Sequence, residues 1–343
     1  MSASLPGIGR LCCLSHIAAA LLHLFPLPTP ISALLSDGPT TEEGGDLAPE
    51  QWEKGFRKVY THPALVSTPW YVIQGNHDYM GNLSYQLGWG TRPGGDPRWI
   101  APALNWTMKF NIGVPFSRPS SAGCVAVVAF DTCPYITSYL QYGPDSEPRR
   151  VFMWRQLQEA GNGTSQLVWF YQALRDAAAA CAAVVVVGHH PILGGGRHAM
   201  NPVQQDLKHR LHLNDTFDRA GVDLYVNGHD HLLMHNEDSD TGTLYVLSGA
   251  GSNVRVGEME ENIATGYTSA TTKWWAEVGG FAVHSVNITH HRTSFVGAAG
   301  TILHSVTRAV RPKNPAFVVP QETPRSQLAV DHPDYPMQWI QEQ

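Results

Sequence analysis

Apolar positions gather into short unbroken runs, several of which end in a polar tip that carries or follows a glycine. TPWYVIQGNHDYMGN (68–82) reads as a buried strand, Trp70–Ile73, running into a glycine-led loop. GCVAVVAFDT (123–132) is apolar throughout, the pattern of a strand covered on both faces. CAAVVVVGHHPILGGGRH (181–198), GVDLYVNGHDHLLMH (221–235) and TLYVLSGAGS (243–252) repeat the plan of strand followed by tip. Between them lie stretches with helical spacing. Residues 50–65 place Trp52, Phe56, Val59 and Tyr60 on one face and stop before Pro63. Residues 150–183 are helical in pattern but broken at Asn162-Gly163, and 203–221 forms a helix capped by Gly221. The segment 279–310 alternates as two or three strands. Residues 36–50 read as a loop, and the proline-rich 311–343 as an extended tail.

This order of strands and helices, with alternating strands late, predicts an α/β layer architecture. In open α/β sheets ligands bind beyond the strand C-termini, where all the polar tips fall. Asn76, His77, His189, His229 and His231 are therefore expected to converge from three strands. Residues two apart on a strand share a side, so His229 and His231 should aim at one point, with Gly228 letting the backbone pass close. Two imidazoles on one point suggest a metal. They are neutral ligands, however, and a hydrolytic metal pair normally needs carboxylates.

At 343 residues the chain can form one large domain or two modest ones, and its 43% hydrophobic content is that of a packed globular protein. A net charge of −6 with no basic run argues against a nucleic-acid partner. Residues 10–33 hold one basic residue, a short apolar core, then prolines and small residues, as a secretory leader does. His16, His23, Pro26 and Pro28 interrupt it too often for stable membrane insertion. Sequons at Asn82, Asn105, Asn162, Asn214 and Asn287 fit a secretory route. Of five cysteines, Cys124, Cys133 and Cys181 lie beyond the leader-like stretch. They read as small buried thiols, with a Cys124–Cys133 bridge as the alternative. Three parts result: 1–33 leader-like, 34–310 the domain, 311–343 the tail.

GNHD, then GHHP, then GHDH, each after a β-branched strand, together resemble the calcineurin-like metallophosphoesterases, and among them the small purple (tartrate-resistant) acid phosphatases. The likeness is read from about Asp37 to Arg308, and SGAGS and GGFAVHSV match the closing sheet. It implies a four-layer β-sandwich flanked by helices that holds two metal ions, ferric iron with Fe2+, Zn2+ or Mn2+. It implies hydrolysis of phosphate monoesters, small or on phosphoproteins, by a metal-dependent acid phosphatase in the secretory pathway, extracellular or lysosomal/vacuolar. Carried over by motif, Asn76, His189 and His229 match the divalent-metal ligands and His231 the single histidine of the ferric site. His77 and His198 match the histidines that contact phosphate and protonate the leaving group. His190 is a further candidate for substrate contact. The glycines of GGGR, between His189 and His198, depart from the usual residues and would leave that loop mobile.

The family's aspartates come from two earlier motifs, a GDWG-like loop and GDNFY, and neither occurs in this chain. Ser36-Asp37-Gly38 resembles the residues that come directly after GDNFY in that family, so the opening strands are expected to be missing and a sheet edge exposed. Asp37, Glu42, Glu43 and Asp46 are poor substitutes, Asp131 reads as structural, and Asp78 and Asp230 as residues that orient neighbouring ligands. The chain as written is then expected to have crippled or absent activity, whether from an incomplete gene model, a splice form or a pseudoenzyme, and to hold only one metal. The alternative function is a non-catalytic phosphate- or metal-binding secretory protein. A nucleic-acid phosphodiesterase fits the acidic charge less well.

Overall fold

Strands that are apolar at every position need cover on both faces, and the computed structural model supplies it with stacked layers. It describes residues 17–24, 31–36, 52–63, 65–112, 123–159, 163–198, 204–251, 253–264 and 271–322. Fourteen strands among these residues form two sheets: β1 (Ile17–Leu24), β2 (Ile31–Ser36), β3 (Trp70–Gln74), β4 (Trp99–Ile100), β5 (Trp106–Asn111), β6 (Cys124–Ala129), β7 (Ala183–Val187), β8 (Leu224–Asn227), β9 (Leu233–Glu237), β10 (Leu244–Ser248), β11 (Thr272–Ala276), β12 (Gly280–Val286), β13 (His290–Gly297) and β14 (Ile302–Ala309). One sheet runs β14-β13-β12-β1-β2-β3-β4, the other β11-β9-β10-β8-β7-β6-β5.

The sheets face each other across a core that includes Ile73, Val125, Val127, Val185, Val226, Val246 and Phe295. On its outer face the second sheet turns Ala126, Val128, Val184 and Val186 toward helices that bring Met153, Phe170, Leu174 and Phe217. These helices include α4 (Pro148–Glu159), α5 (Thr164–Ala180) and α6 (Leu213–Ala220), which follow the short α1 (Asn76–Tyr79), α2 (Leu83–Gly88) and α3 (Thr137–Leu140). On the outer face of the first sheet, Trp70 and Val72 pack against Trp52, Phe56, Trp89 and Trp99. Helix, sheet, sheet and aromatic turn make four layers, as expected.

Several expectations change. The opening strands are present: β1 pairs in parallel with β12 and antiparallel with β2, and β2 pairs in parallel with β3. The apolar core read as a leader is long enough to act as a central strand, and it closes the edge predicted to be open. The acidic loop with Asp37, Glu42, Glu43 and Asp46 lies outside the described residues, as does the sequon Asn162. The bridge is Cys124–Cys181, with a Cα separation of 4.7 Å, and Cys133 is a buried thiol outside the disulfide. Register explains this: β6 and β7 run parallel with Val125 opposite Ala183, which sets Cys124 beside the start of β7. The helix over 203–221 divides into a turn at Gln205–Arg210 and α6, because His212 takes a left-handed conformation (φ 50°). Gly221 does cap α6, with φ 76°. Sequence periodicity missed β5, β9 and β11, along with α7 (Glu258–Ala264).

Candidate metal centre

Three loops meet beyond the C-terminal ends of β3, β7 and β8. The β3 tip is rigid because Asp78 turns back on it: Gly75 N–H donates to Asp78 Oδ2 at 2.7 Å, and Gln86 Nε2 donates to Oδ1. This fixes the first turn of α1, and with it Asn76 and His77. The β7 tip carries His189, and Gly228 N–H donates to the His189 carbonyl at 3.0 Å, which ties it to the β8 tip. Gly188 must lack a Cβ, which would lie 2.5 Å from the Tyr225 hydroxyl oxygen.

The β8 tip is not the extended strand that the alternation argument assumed. β8 ends at Asn227, and the next residues fold into tight turns in which Asp230 N–H donates to the Gly228 carbonyl and Leu232 N–H to the Asp230 carbonyl. His229 sits at φ 69°, a left-handed conformation that costs a non-glycine residue energy and is kept where the surroundings enforce it. Gly249, in SGAGS, allows the approach, since a Cβ there would lie 1.8 Å from the Asp230 carbonyl oxygen.

The turn brings His229 to His189. His189 Nε2 lies 2.9 Å from Asn76 Oδ1 and 3.1 Å from His229 Nδ1. His229 Nε2 is buried with no hydrogen-bond partner among the described residues. Burial first, then the surrounding histidines, holds the His229 pKa well below the usual histidine range. A buried ring kept neutral, with one nitrogen beside His189 Nε2 and the other without a partner among the described residues, is prepared for a cation. Nitrogen and amide-oxygen donors suit divalent zinc, iron or manganese. The arrangement fits one divalent ion on Asn76, His189 and His229.

His231, predicted to share the target of His229, is buried but stands outside the group of histidines whose donor atoms lie within 4.8 Å of one another. The turns after Asn227 break the two-residue alternation on which that expectation rested. His190 belongs to that group by distance, yet both its nitrogens are engaged, Nδ1 with Thr132 Oγ1 at 2.7 Å and Nε2 with the Tyr139 hydroxyl at 2.9 Å. It is fully buried. Its ring centroid lies 4.7 Å from that of His189 and 4.5 Å from that of His229, so it packs against both.

His198 is brought in. Its Nδ1 is hydrogen-bonded to Asp230 Oδ1, and its ring centroid lies 4.1 Å from that of His229. Asp230 thus orients His198 rather than a ligand. The three glycines of GGGR are buried, Arg197 is exposed, and α7 lies against the loop: Asn262 Nδ2 donates to the carbonyls of Gly195 and Gly196 at 2.6 and 2.8 Å. A Cβ on Gly196 would meet Asp230 Oδ2 at 2.4 Å. Gly196→Ala is therefore expected to cost about 1–3 kcal/mol through overpacking and to disturb His198, as measured by urea unfolding and turnover. His77 flanks Asn76, and burial, with help from Arg149 and Arg255, pushes its pKa down to about 4. Sequence reasoning did not single out those two arginines. Neither sits in a motif, and only the fold carries their charge to His77.

Asp131 is structural, as expected. It accepts from the Tyr79 hydroxyl and from Cys133 N–H, and burial raises its pKa to about 6.

The sequence pattern described as calcineurin-like phosphoesterase matches residues 19–233. The match begins inside the leader-like segment, where the structure places β1. The chain is 29% identical over 274 residues to human (Homo sapiens) tartrate-resistant acid phosphatase type 5, covering 79% of this chain and 76% of that protein. It is 30% identical over 258 residues to purple acid phosphatase 7 of Arabidopsis thaliana, covering 74% and 68%. A solved structure described as GAP50, the anchor in the inner membrane complex of Plasmodium, shares the fold with a TM-score of 0.58 at 17% identity, over 94% of this chain and 95% of that one. The chain belongs to the calcineurin-like phosphoesterases, among relatives that are purple and tartrate-resistant acid phosphatases.

Proposed function

We propose that this protein binds one divalent metal ion on Asn76, His189 and His229 and hydrolyses phosphate monoesters beside it, slowly in comparison with a two-metal enzyme. The observation that carries this reading is that His189 Nε2 lies 2.9 Å from Asn76 Oδ1 and 3.1 Å from His229 Nδ1, with the His198 ring beside that of His229. A bound ion of this kind supplies a Lewis acid and lowers the pKa of water. The chain's own groups do the rest. His198, steadied by Asp230, holds a proton at the rim for a departing alkoxide. His77, on the turn next to Asn76, offers a second imidazole to the phosphate. His190 keeps the two ligand rings in place through its bonds to Thr132 and Tyr139.

The slow rate is a consequence of the missing carboxylates. With no GDxG or GDNFY in the sequence, His231 alone is left of the trivalent site that the family resemblance implies. The remaining ligands are neutral, so a trivalent ion is poorly held. The alternative, a phosphate- or metal-binding protein without turnover, rests on the same observation. The secretory compartment is supported by the Cys124–Cys181 bridge, since disulfides persist in oxidising surroundings. Among the described residues no helix is long and apolar enough to cross a membrane.

Plasma mass spectrometry of the purified chain, loaded with zinc or iron, is expected to find about one ion per chain. p-Nitrophenyl phosphate should be cleaved in preference to its bis-ester. Two tightly held ions would defeat the single-metal reading. One ion with no monoester cleavage would favour the binding protein.

A further inference from the structure

We propose that Arg255 is the residue that binds the phosphate group at this site, with its Nη1 facing a phosphate oxygen. The inference rests on the phosphoester reading above, and it names a contact that the histidine motifs do not supply.

Arg255 sits in a built loop. Its own N–H donates to the His231 carbonyl at 3.3 Å, which fastens the loop after β10 to the β8 tip. Two residues on, Gly257 (φ 92°) turns the chain, and Glu277 accepts from Gly257 N–H at 2.6 Å and Met259 N–H at 2.8 Å. From there α7 runs to Asn262, which grips the His198 loop. One segment thus carries Arg255 and also holds His198 in place.

The side chain is only partly satisfied. Nε lies 3.6 Å from Glu258 Oε1, longer than a hydrogen bond. Nη1 is buried with no hydrogen-bond partner among the described residues, while the side chain as a whole keeps 27% exposure. A buried guanidinium N–H is costly to leave unmade, and a phosphate oxygen is the ligand that satisfies it with charge assistance and matched geometry. The charge of Arg255 already reaches His77, the histidine beside Asn76. Among the described residues, Asp230 is taken up by His198 and Glu258 faces Arg255 itself. The proposed metal ligands Asn76, His189 and His229 are neutral, so Arg255 adds positive charge for a phosphate that those three side chains do not supply.

The test compares the zinc-loaded full chain with its Arg255→Gln and Arg255→Lys variants. Inorganic phosphate binding is read by isothermal titration, and p-nitrophenyl phosphate turnover is measured in parallel. Arg255→Gln should weaken phosphate binding about 10- to 100-fold. KM should rise more than kcat falls, while zinc stoichiometry and melting temperature stay at the wild-type values. Arg255→Lys, which keeps the charge and loses the fork, should fall between. Phosphate binding within about twofold of wild type in the glutamine variant overturns the proposal, and should that variant fail to fold, the same result in the lysine variant does so. Arg255-dependent phosphate binding without any turnover sustains this inference while the hydrolytic reading fails. Turnover that ignores both substitutions does the reverse. A wild-type chain that neither binds phosphate nor cleaves the ester overturns both.

Discussion

Replacing His189 with alanine is expected to abolish metal binding and to lower phosphomonoester turnover by more than about 100-fold, beyond the usual effect of losing an outer-shell partner. His189 is the hub: its Nε2 is the atom within reach of both Asn76 Oδ1 and His229 Nδ1. Removing it leaves two donors, and two neutral donors hold a divalent ion poorly. A readout independent of activity is available. Zinc at about 100 times its dissociation constant should stabilise the wild type by about 2.7 kcal/mol and the His189→Ala chain hardly at all. His190→Ala is the informative contrast. It removes a ring of the same cluster whose nitrogens are spent on Thr132 and Tyr139, so it should destabilise the fold yet keep the metal. Loss of zinc stoichiometry in the His190 variant, with retention in the His189 variant, would reverse the assignment.

Reducing the Cys124–Cys181 bridge, or replacing both cysteines with serine, should cost about 4 kcal/mol of stability by the loop-entropy relation for a sequence separation of 57. The closed loop contains α3, α4 and α5 and ends at the paired strands β6 and β7. The bridge therefore limits the unfolded chain across most of one helical layer. Urea unfolding with and without reductant measures the effect. Peptide mapping should find Cys124 joined to Cys181, with Cys133 unmodified in the folded protein because it is fully buried. A fall of under about 1 kcal/mol on reduction would mean that strand pairing alone holds this edge.

Much of the site was legible along the chain because it is local. GNHD, GHHP and GHDH each place a ligand one or two residues beyond a strand made of residues that could be little else. Val184–Val187 and Leu224–Val226 are covered on both faces, as their unbroken apolarity requires. Helix α5 and its break before Gly163 were readable for the same reason. β9 was hidden because Leu233–Glu237 continues a polar tip without punctuation, and it becomes a strand only by pairing with β10 and β11. β1 was hidden because a short apolar run with small residues after it serves equally well as a leader or as a central strand. Its pairing with β12, far along the chain, is what makes it a strand here.

By itself, then, the sequence determined the α/β order, the strands that lead to the tips, and the identity of Asn76, His189 and His229 as ligand candidates. Periodicity and turn chemistry act over a few residues, and those features need no more. Only the tertiary structure decided which groups share a space. It turned the chain after Asn227 through a left-handed residue and two tight turns, spent His190 on hydroxyls, and gave Asp230 to His198. It joined Cys124 to Cys181 through strand register, and it brought Arg255 and Arg149 close enough for their charge to reach His77. Each of these depends on distances between residues far apart in the chain, and such distances exist only after the sheets have stacked and the loops have been tied across one another.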